Sequence, residues 1–324
     1  MELLADFALV HPGTVAEAIA RHGGSAEARY LGGGTDLVAN MRRGIDAPKT
    51  LVDLTGIASL SRLVIEDGGL AIGASVSIAR IAADERIRED YPAIAEAARL
   101  IAAPAHRAAA TLGGNLCLDT RCVYYNQSEW WRKANGYCLK RKGEVCHVAP
   151  TGDRCHAAYS GDLAPALIAL DAKAVLRGPG GRRKLPLTDI YREDGRAHLA
   201  LGPGEMLTRV DVPAPTSGCR SGYEKGRLRE SIDFPLAGVA ASLALKNGRV
   251  AALRVAVTGT NSRPFVVVGL EGLIGRALDD AAIAEIDRAV RKQTQPMRTT
   301  MAAGNYRRHL AGALADRLLR RLAG

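Results

Sequence analysis

Apolar and polar positions along this chain alternate between a helical and a strand period, and the breaks fall at glycine and proline. Thr14-Val-Ala-Glu17 has the form of a capping box and opens a predicted helix over 14–22, which Gly23 and Gly24 stop. The apolar stretch 28–31 breaks at Gly32-Gly33-Gly34 and resumes as a helix to about residue 43. Strands are predicted at 51–54 and 70–74, and helices at 77–83 and 93–102. Further on, a helix over 164–170 precedes strands at 172–177 and 184–187, joined by Gly178-Pro-Gly-Gly181. Asn247-Gly248 between apolar stretches 239–245 and 249–258 is a strong hairpin signal. A helix over 281–291 follows, and a last one repeats Leu310, Leu314, Leu318 and Leu322 every fourth residue. The pattern is that of an α+β protein in three parts: a small α/β unit over 1–57, a larger α+β unit over 58–216, and a sheet-plus-helices unit over 217–324. Pro213 and Pro215 mark the last linker.

Composition narrows the class. A chain of 324 residues with 47% hydrophobic content can bury the cores of two or three domains. No apolar stretch approaches the roughly 18 residues of a membrane span. Glu2 and Asp6 interrupt the apolar start, unlike a secretory leader, so the expectation is a cytoplasmic protein, not bound to membrane. In that compartment clustered cysteines are more often metal ligands than disulfides. The formal net charge of +10 is spread along the chain, which argues against nucleic acid and for acidic partners or anionic ligands.

Two glycine turns carry the candidate binding chemistry. Gly32-Gly33-Gly34 allows close backbone approach and can turn successive amides inward, as a pyrophosphate cradle would; a tight strand-to-helix turn is the plain alternative. Asp53 follows at a suggestive distance, but Gly-Gly-Gly-Thr-Asp-Leu is not G-x-G-x-x-G, and the intervening helix is short for a dinucleotide crossover. In the second turn, Thr111-Leu-Gly-Gly-Asn115, a hydroxyl and an amide flank the glycines. Beyond it, the segment 118–158 holds Cys122, Cys138, Cys146 and Cys155, four of the six cysteines, together with Tyr124, Tyr125, Trp130, Trp131 and Tyr137. Its aromatic content argues for order, while secondary-structure signals are sparse, so it needs something to fold around. The cysteine spacing has no C-x-x-C knuckle. An iron-sulfur cluster, a zinc site aided by His147 or His156, and four unrelated thiols all remain open. Cys117 and Cys219 receive no role.

Leu31-Gly-Gly-Gly-Thr-Asp-Leu37, Thr111-Leu-Gly-Gly-Asn-Leu116 and Gly161-Asp-Leu-Ala-Pro-Ala-Leu167 occur in the order and spacing of the FAD-binding subunits of molybdenum hydroxylases, the xanthine dehydrogenase and carbon monoxide dehydrogenase family. Leu201-Gly-Pro-Gly-Glu-Met-Leu207, Tyr223-Glu-Lys225 and 229–240 resemble the same family's junction and C-terminal domain, so the likeness spans nearly the whole chain. It implies a two-subdomain PCMH-type FAD-binding domain over 1–216, then a C-terminal domain like that of the carbon monoxide dehydrogenase flavoprotein. FAD would lie between the first two units, against Arg29, Tyr30, Leu31, Gly32, Gly33, Gly34, Thr35 and Asp36, with Thr111, Gly114 and Asn115 approaching from the second turn. Asp162 would stand near the ribityl chain, and Leu207 and Lys225 near the ring; taken alone, Asp162 could merely cap a helix and Lys225 could be a solvated charge.

The segment 118–158 departs from most of the family, in which the two flanking motifs adjoin. Beside a flavin an electron carrier has a use and zinc has none, which favours a 4Fe-4S cluster on Cys122, Cys138, Cys146 and Cys155. By the same resemblance the partners are a large molybdenum-cofactor subunit and a small 2Fe-2S subunit in a dimer of heterotrimers. The insert resembles that of a reductive member, whose electrons enter from ferredoxin. Its seven basic residues against four acidic ones suit an acidic donor, with Lys140-Arg141-Lys142 as the docking run. The other readings are an oxidative hydroxylase subunit passing electrons to NAD, and a zinc-stabilised binding module.

Overall fold

The computed structural model describes residues 4–66 and 68–324; the first three residues, Glu2 among them, and residue 67 lie outside the described residues. Near the N-terminus Ala8–Val10, Thr50–Asp53 and Ala28–Leu31 form a parallel sheet in that order. Thr14 Oγ1 accepts the Glu17 amide at 3.1 Å, and Gly23, at φ 58°, ends the helix Val15–His22. A short helix, Leu37–Arg42, follows the three glycines.

The second unit is a five-stranded antiparallel sheet in the order Leu63–Glu66, Gly69–Gly73, Met206–Pro213, Lys173–Gly178 and Gly181–Pro186. Met206–Pro213 returns to the sheet centre after the whole insert has been traversed, so the insert is an excursion from a closed core. Arg182, Arg183 and Lys184 on the outermost strand discourage a foreign strand from pairing there. Helices Ile78–Ala83, Pro92–Leu100 and Leu163–Ala169 belong to the same unit, and residues of all three enter its core.

The third unit is a four-stranded antiparallel sheet of Cys219–Gly226, Ala237–Lys246, Arg249–Thr258 and Phe265–Val266, with helices Asp280–Gln293 and Gly304–Ala323. The hairpin falls where predicted: Asn247 and Gly248 both have positive φ, 52° and 73°, as a type I′ turn requires. Because strand side chains alternate, each central strand serves two cores. Val239, Ala241, Val255 and Val257 join the core shared with the two helices, while Ala240 and Ala256 join that of the second unit. No helix among the described residues is long and apolar enough to cross a membrane.

The insert is more structured than its sequence suggests. Its ends are tied by reciprocal backbone bonds between Arg121 and Ala158, at 2.7 and 2.8 Å. Ser128 caps a helix over Glu129–Ala134, and the fully buried Arg132 reaches the backbone carbonyls of Arg43 and Gly44. That guanidinium fastens the insert to the loop after Leu37–Arg42.

Candidate functional site

The three sequence motifs interlock physically. A Cβ on Gly33 would fall 1.7 Å from the carbonyl oxygen of Ala109, and one on Gly32 2.7 Å from Thr111 Oγ1, so the first glycine turn lies directly on the second. Gly34 takes the left-handed φ of 71° that lets the chain turn into its helix. In the second turn Thr111 Oγ1 accepts the Gly114 amide at 3.1 Å. Asn115 Oδ1 accepts the Leu163 amide at 3.2 Å, joining that turn to the third motif.

Asp162 makes no side-chain cap for the helix it precedes. Its carboxylate instead accepts from Tyr223 Oη at 2.6 Å and Lys225 Nζ at 3.0 Å, with both members of the ion pair buried. Burial pushes the Asp162 carboxyl above its ordinary value, and the Lys225 ammonium pulls it back. Lys225 is therefore no solvated charge; it fastens the C-terminal sheet to the third motif.

These turns form one wall of a cleft of about 650 Å³, within the usual size range of cofactor sites. Of the residues proposed from the sequence to meet FAD, Thr35, Asp36, Gly114, Asn115 and Asp162 line it. The other anticipated residues are placed behind this wall or away from it. Gly32, Gly33 and Thr111 make the contact between turns. Arg29 is paired with Asp46 at 3.1 Å, while Tyr30 stacks on His22 and donates to the Gly204 carbonyl. Leu31 is the last residue of its strand, and Leu207 is buried in the five-stranded sheet, opposite Leu176. The cleft is not confined to the first two units: the insert, the loop 228–236 and Thr299–Met301 complete it.

Arg121 also lines the cleft and was not among the residues anticipated from the sequence. It pairs with Asp36, donates to Asn40 Oδ1 at 3.1 Å and stands over the Phe234 ring at 4.9 Å, tying first turn, insert and C-terminal unit together. Burial lowers its pKa to about 10. Its Nε, and the Nδ2 of Asn126 on the same cleft, have no hydrogen-bond partner among the described residues. Unpaired buried donors beside a large cleft suit an acceptor-rich ligand, and the phosphates, ribityl chain and flavin ring of FAD supply acceptors. The available signal was the position of Arg121 six residues beyond Asn115; for Thr299–Met301 there was none.

All four insert cysteines surround a second, much smaller space. Cys122, Cys138, Cys146 and Cys155 are buried free thiols lining it together with Tyr124, Tyr125, Lys140 and His147. It measures about 10 Å³, room for about one water, so a centre of several atoms requires the thiol side chains to turn outward. No three His, Cys, Asp or Glu side chains among the described residues converge as a single-ion site. Burial pushes the Cys122 thiol up to about 11 and that of Cys155 to about 12, so binding a metal there would release protons. The Ala157 amide donates to Cys155 Sγ at 3.4 Å. His147 bonds the Tyr137 carbonyl through Nε2, and His156 does not line the space.

The expected docking run is corrected by burial. Lys140 is enclosed, with 5% side-chain exposure and a 2.6 Å bond to Asp119. Lys142 pairs with Glu129 at 3.1 Å and lies over Tyr137. Lys140-Arg141-Lys142 thus does not present three free charges to a partner.

This fold and cleft are those of a flavoprotein subunit. The chain matches the FAD-binding domain of molybdopterin dehydrogenases over residues 5–215 and the C-terminal domain of the CO dehydrogenase flavoprotein over 222–322. It is 33% identical to the aldehyde oxidoreductase FAD-binding subunit PaoB of Escherichia coli over 74% of this chain and 76% of that protein. It is 28% identical to the carbon monoxide dehydrogenase medium chain of Afipia carboxidovorans, over 96% and 94%. The crystal structure of the Cu,Mo-CO dehydrogenase superposes with a TM-score of 0.82 at 25% identity, covering 99% of both chains. The protein belongs to the FAD-binding medium subunits of the molybdenum hydroxylase family.

Proposed function

We propose that this chain is the FAD- and iron-sulfur-containing electron-transfer subunit of a molybdenum enzyme, 4-hydroxybenzoyl-CoA reductase. That complex would contain a large molybdenum-cofactor subunit and a small 2Fe-2S subunit as a dimer of heterotrimers, take electrons from ferredoxin, and work in the cytoplasm. Two electrons and two protons convert 4-hydroxybenzoyl-CoA to benzoyl-CoA and water. The observation that carries the reading is Cys122, which lines both the four-thiol space and the large cleft. A soft, all-thiolate donor set beside a flavin cleft suits an iron-sulfur centre.

Flavin supplies exchange between one- and two-electron transfers. The chain's own residues that line the cleft would bind and orient it: Thr35, Asp36, Gly114, Asn115, Arg121 and Phe234, with Asp162 held by Lys225. Arg29, Tyr30, Leu31, Gly32, Gly33, Gly34, Thr111 and Leu207 remain part of the proposed site as the frame behind these groups. No side chain here acts as a general acid or base in this reading.

The oxidative alternative, delivery of electrons from FAD to NAD, is supported by the relatives' names: an aldehyde oxidoreductase and a carbon monoxide dehydrogenase. Anaerobic purification with flavin, iron and sulfide analysis tests the proposal. About four irons and four sulfides per chain beside the flavin bands are expected, with iron lost in Cys138→Ser. Flavin without iron, and rapid flavin reoxidation by NAD, would establish the oxidative alternative.

A further inference from the structure

Among the charged side chains around the four-thiol space, one is a fixed cation. Lys140 lines it, two residues after Cys138. Its ammonium is held from several sides: it bonds Asp119 Oδ1 at 2.6 Å and the Thr120 carbonyl at 3.2 Å, and stands 4.2 Å over the Tyr125 ring. With 5% of the side chain exposed, it cannot swing into solvent, and salt screens it poorly.

We propose that Lys140 is the counter-charge of the metal–thiolate centre on Cys122, Cys138, Cys146 and Cys155, and sets that centre's reduction potential. This rests on the reading that the four thiols hold an iron-sulfur centre. Four thiolates bring more negative charge than such a core neutralises, and reduction adds one more electron. A buried cation at the wall stabilises the reduced form more than the oxidised form, and raises the potential. Asp119, bonded to the ammonium at 2.6 Å, opposes it. Asp119 does not line the space, so its effect is smaller and of opposite sign.

Lys140 is a tuning residue and touches no substrate; a purely structural role for the Asp119–Lys140 pair predicts no ordered change in potential. The test is an EPR-monitored redox titration of the cluster in the intact complex, after iron analysis of each variant. Lys140→Met is expected to lower the midpoint by about 59 mV, a tenfold shift of the one-electron equilibrium. Lys140→Arg should restore it, and Asp119→Asn should move it upward. An unchanged midpoint in an iron-replete Lys140→Met protein overturns the proposal. Should Lys140→Met fail to assemble the centre, Asp119→Asn decides: an upward shift sustains the proposal and no shift overturns it. Zinc, or no metal, in the wild-type protein would defeat the iron-sulfur reading itself, and this inference with it.

Discussion

At Gly33 there is no room for a side chain, because the Ala109 carbonyl occupies the position a Cβ would take. Gly33→Ala must therefore push the two glycine turns apart, at a cost of about 1–3 kcal/mol or more by the measure of overpacked cores. The expected result is a folded but less stable protein that loses FAD on gel filtration; a variant retaining flavin like the wild type would contradict the interlocked wall. Asp162 and Lys225 make the complementary point. Each, considered singly, had a plain explanation as a cap or a surface charge. Their 3.0 Å pairing inside the protein, joined by Tyr223, shows a buried polar cluster that links domains. Residue types and local spacing could indicate a glycine turn. They could not indicate which carbonyl lies against it or which lysine, 63 positions away, meets the aspartate.

At the scale of elements, the insert is both the frame of the cysteine space and a wall of the flavin cleft. Cys122 contributes to both, Tyr124 and Tyr125 face the first, and Arg121, Val123 and Asn126 face the second. The Val123 amide also donates to the Thr299 carbonyl at 2.9 Å, so the same strip touches the C-terminal unit. If the four thiols hold the proposed iron-sulfur centre, its loss should loosen this strip and weaken flavin binding. A coupling of about 1–3 kcal/mol, or roughly 5–150-fold in affinity, is the expected range for such linkage. Fluorescence titration of FAD into wild-type and Cys138→Ser proteins measures it. Equal affinities would make the insert independent of the cleft. Most of the regular elements were legible beforehand, since caps, glycine stops and the Asn247-Gly248 turn act locally. The helix Glu129–Ala134 was not; Arg132, buried against backbone carbonyls from another segment, helps hold it, and that contact is not local.

Across the whole molecule, burial of charged and titratable groups where segments meet gives stability a pH dependence. His198 lies buried, with Nε2 donating to the Leu118 carbonyl at the start of the insert at 2.9 Å. Burial, reinforced by the Lys140 charge, lowers its pKa from 6.5 to about 4. The unfolded chain therefore binds a proton that the folded chain refuses between those values. The stabilising contribution is present above about pH 6.5 and is lost as pH falls toward 4, by about 3 kcal/mol at most. His198→Gln, which keeps a donor for the carbonyl, should flatten that part of the acid limb in urea-unfolding midpoints; an unchanged limb would place the acid sensitivity elsewhere.

The sequence by itself determined the α+β order of elements, the two glycine turns, the hairpin and the concentration of cysteines in one insert. These follow from short-range rules: backbone freedom at glycine, side-chain period, capping and spacing. Tertiary structure alone decided that Cys122 faces two spaces, that Lys140 is enclosed instead of displayed, that Arg121 bridges three parts of the chain, and that the C-terminal unit helps form the cleft. Each of these depends on which distant segments exclude water from one another, and a charge's role changes with that exclusion. A lysine in a basic run reads as a surface charge until packing removes its solvent, and only the folded chain shows where that happens.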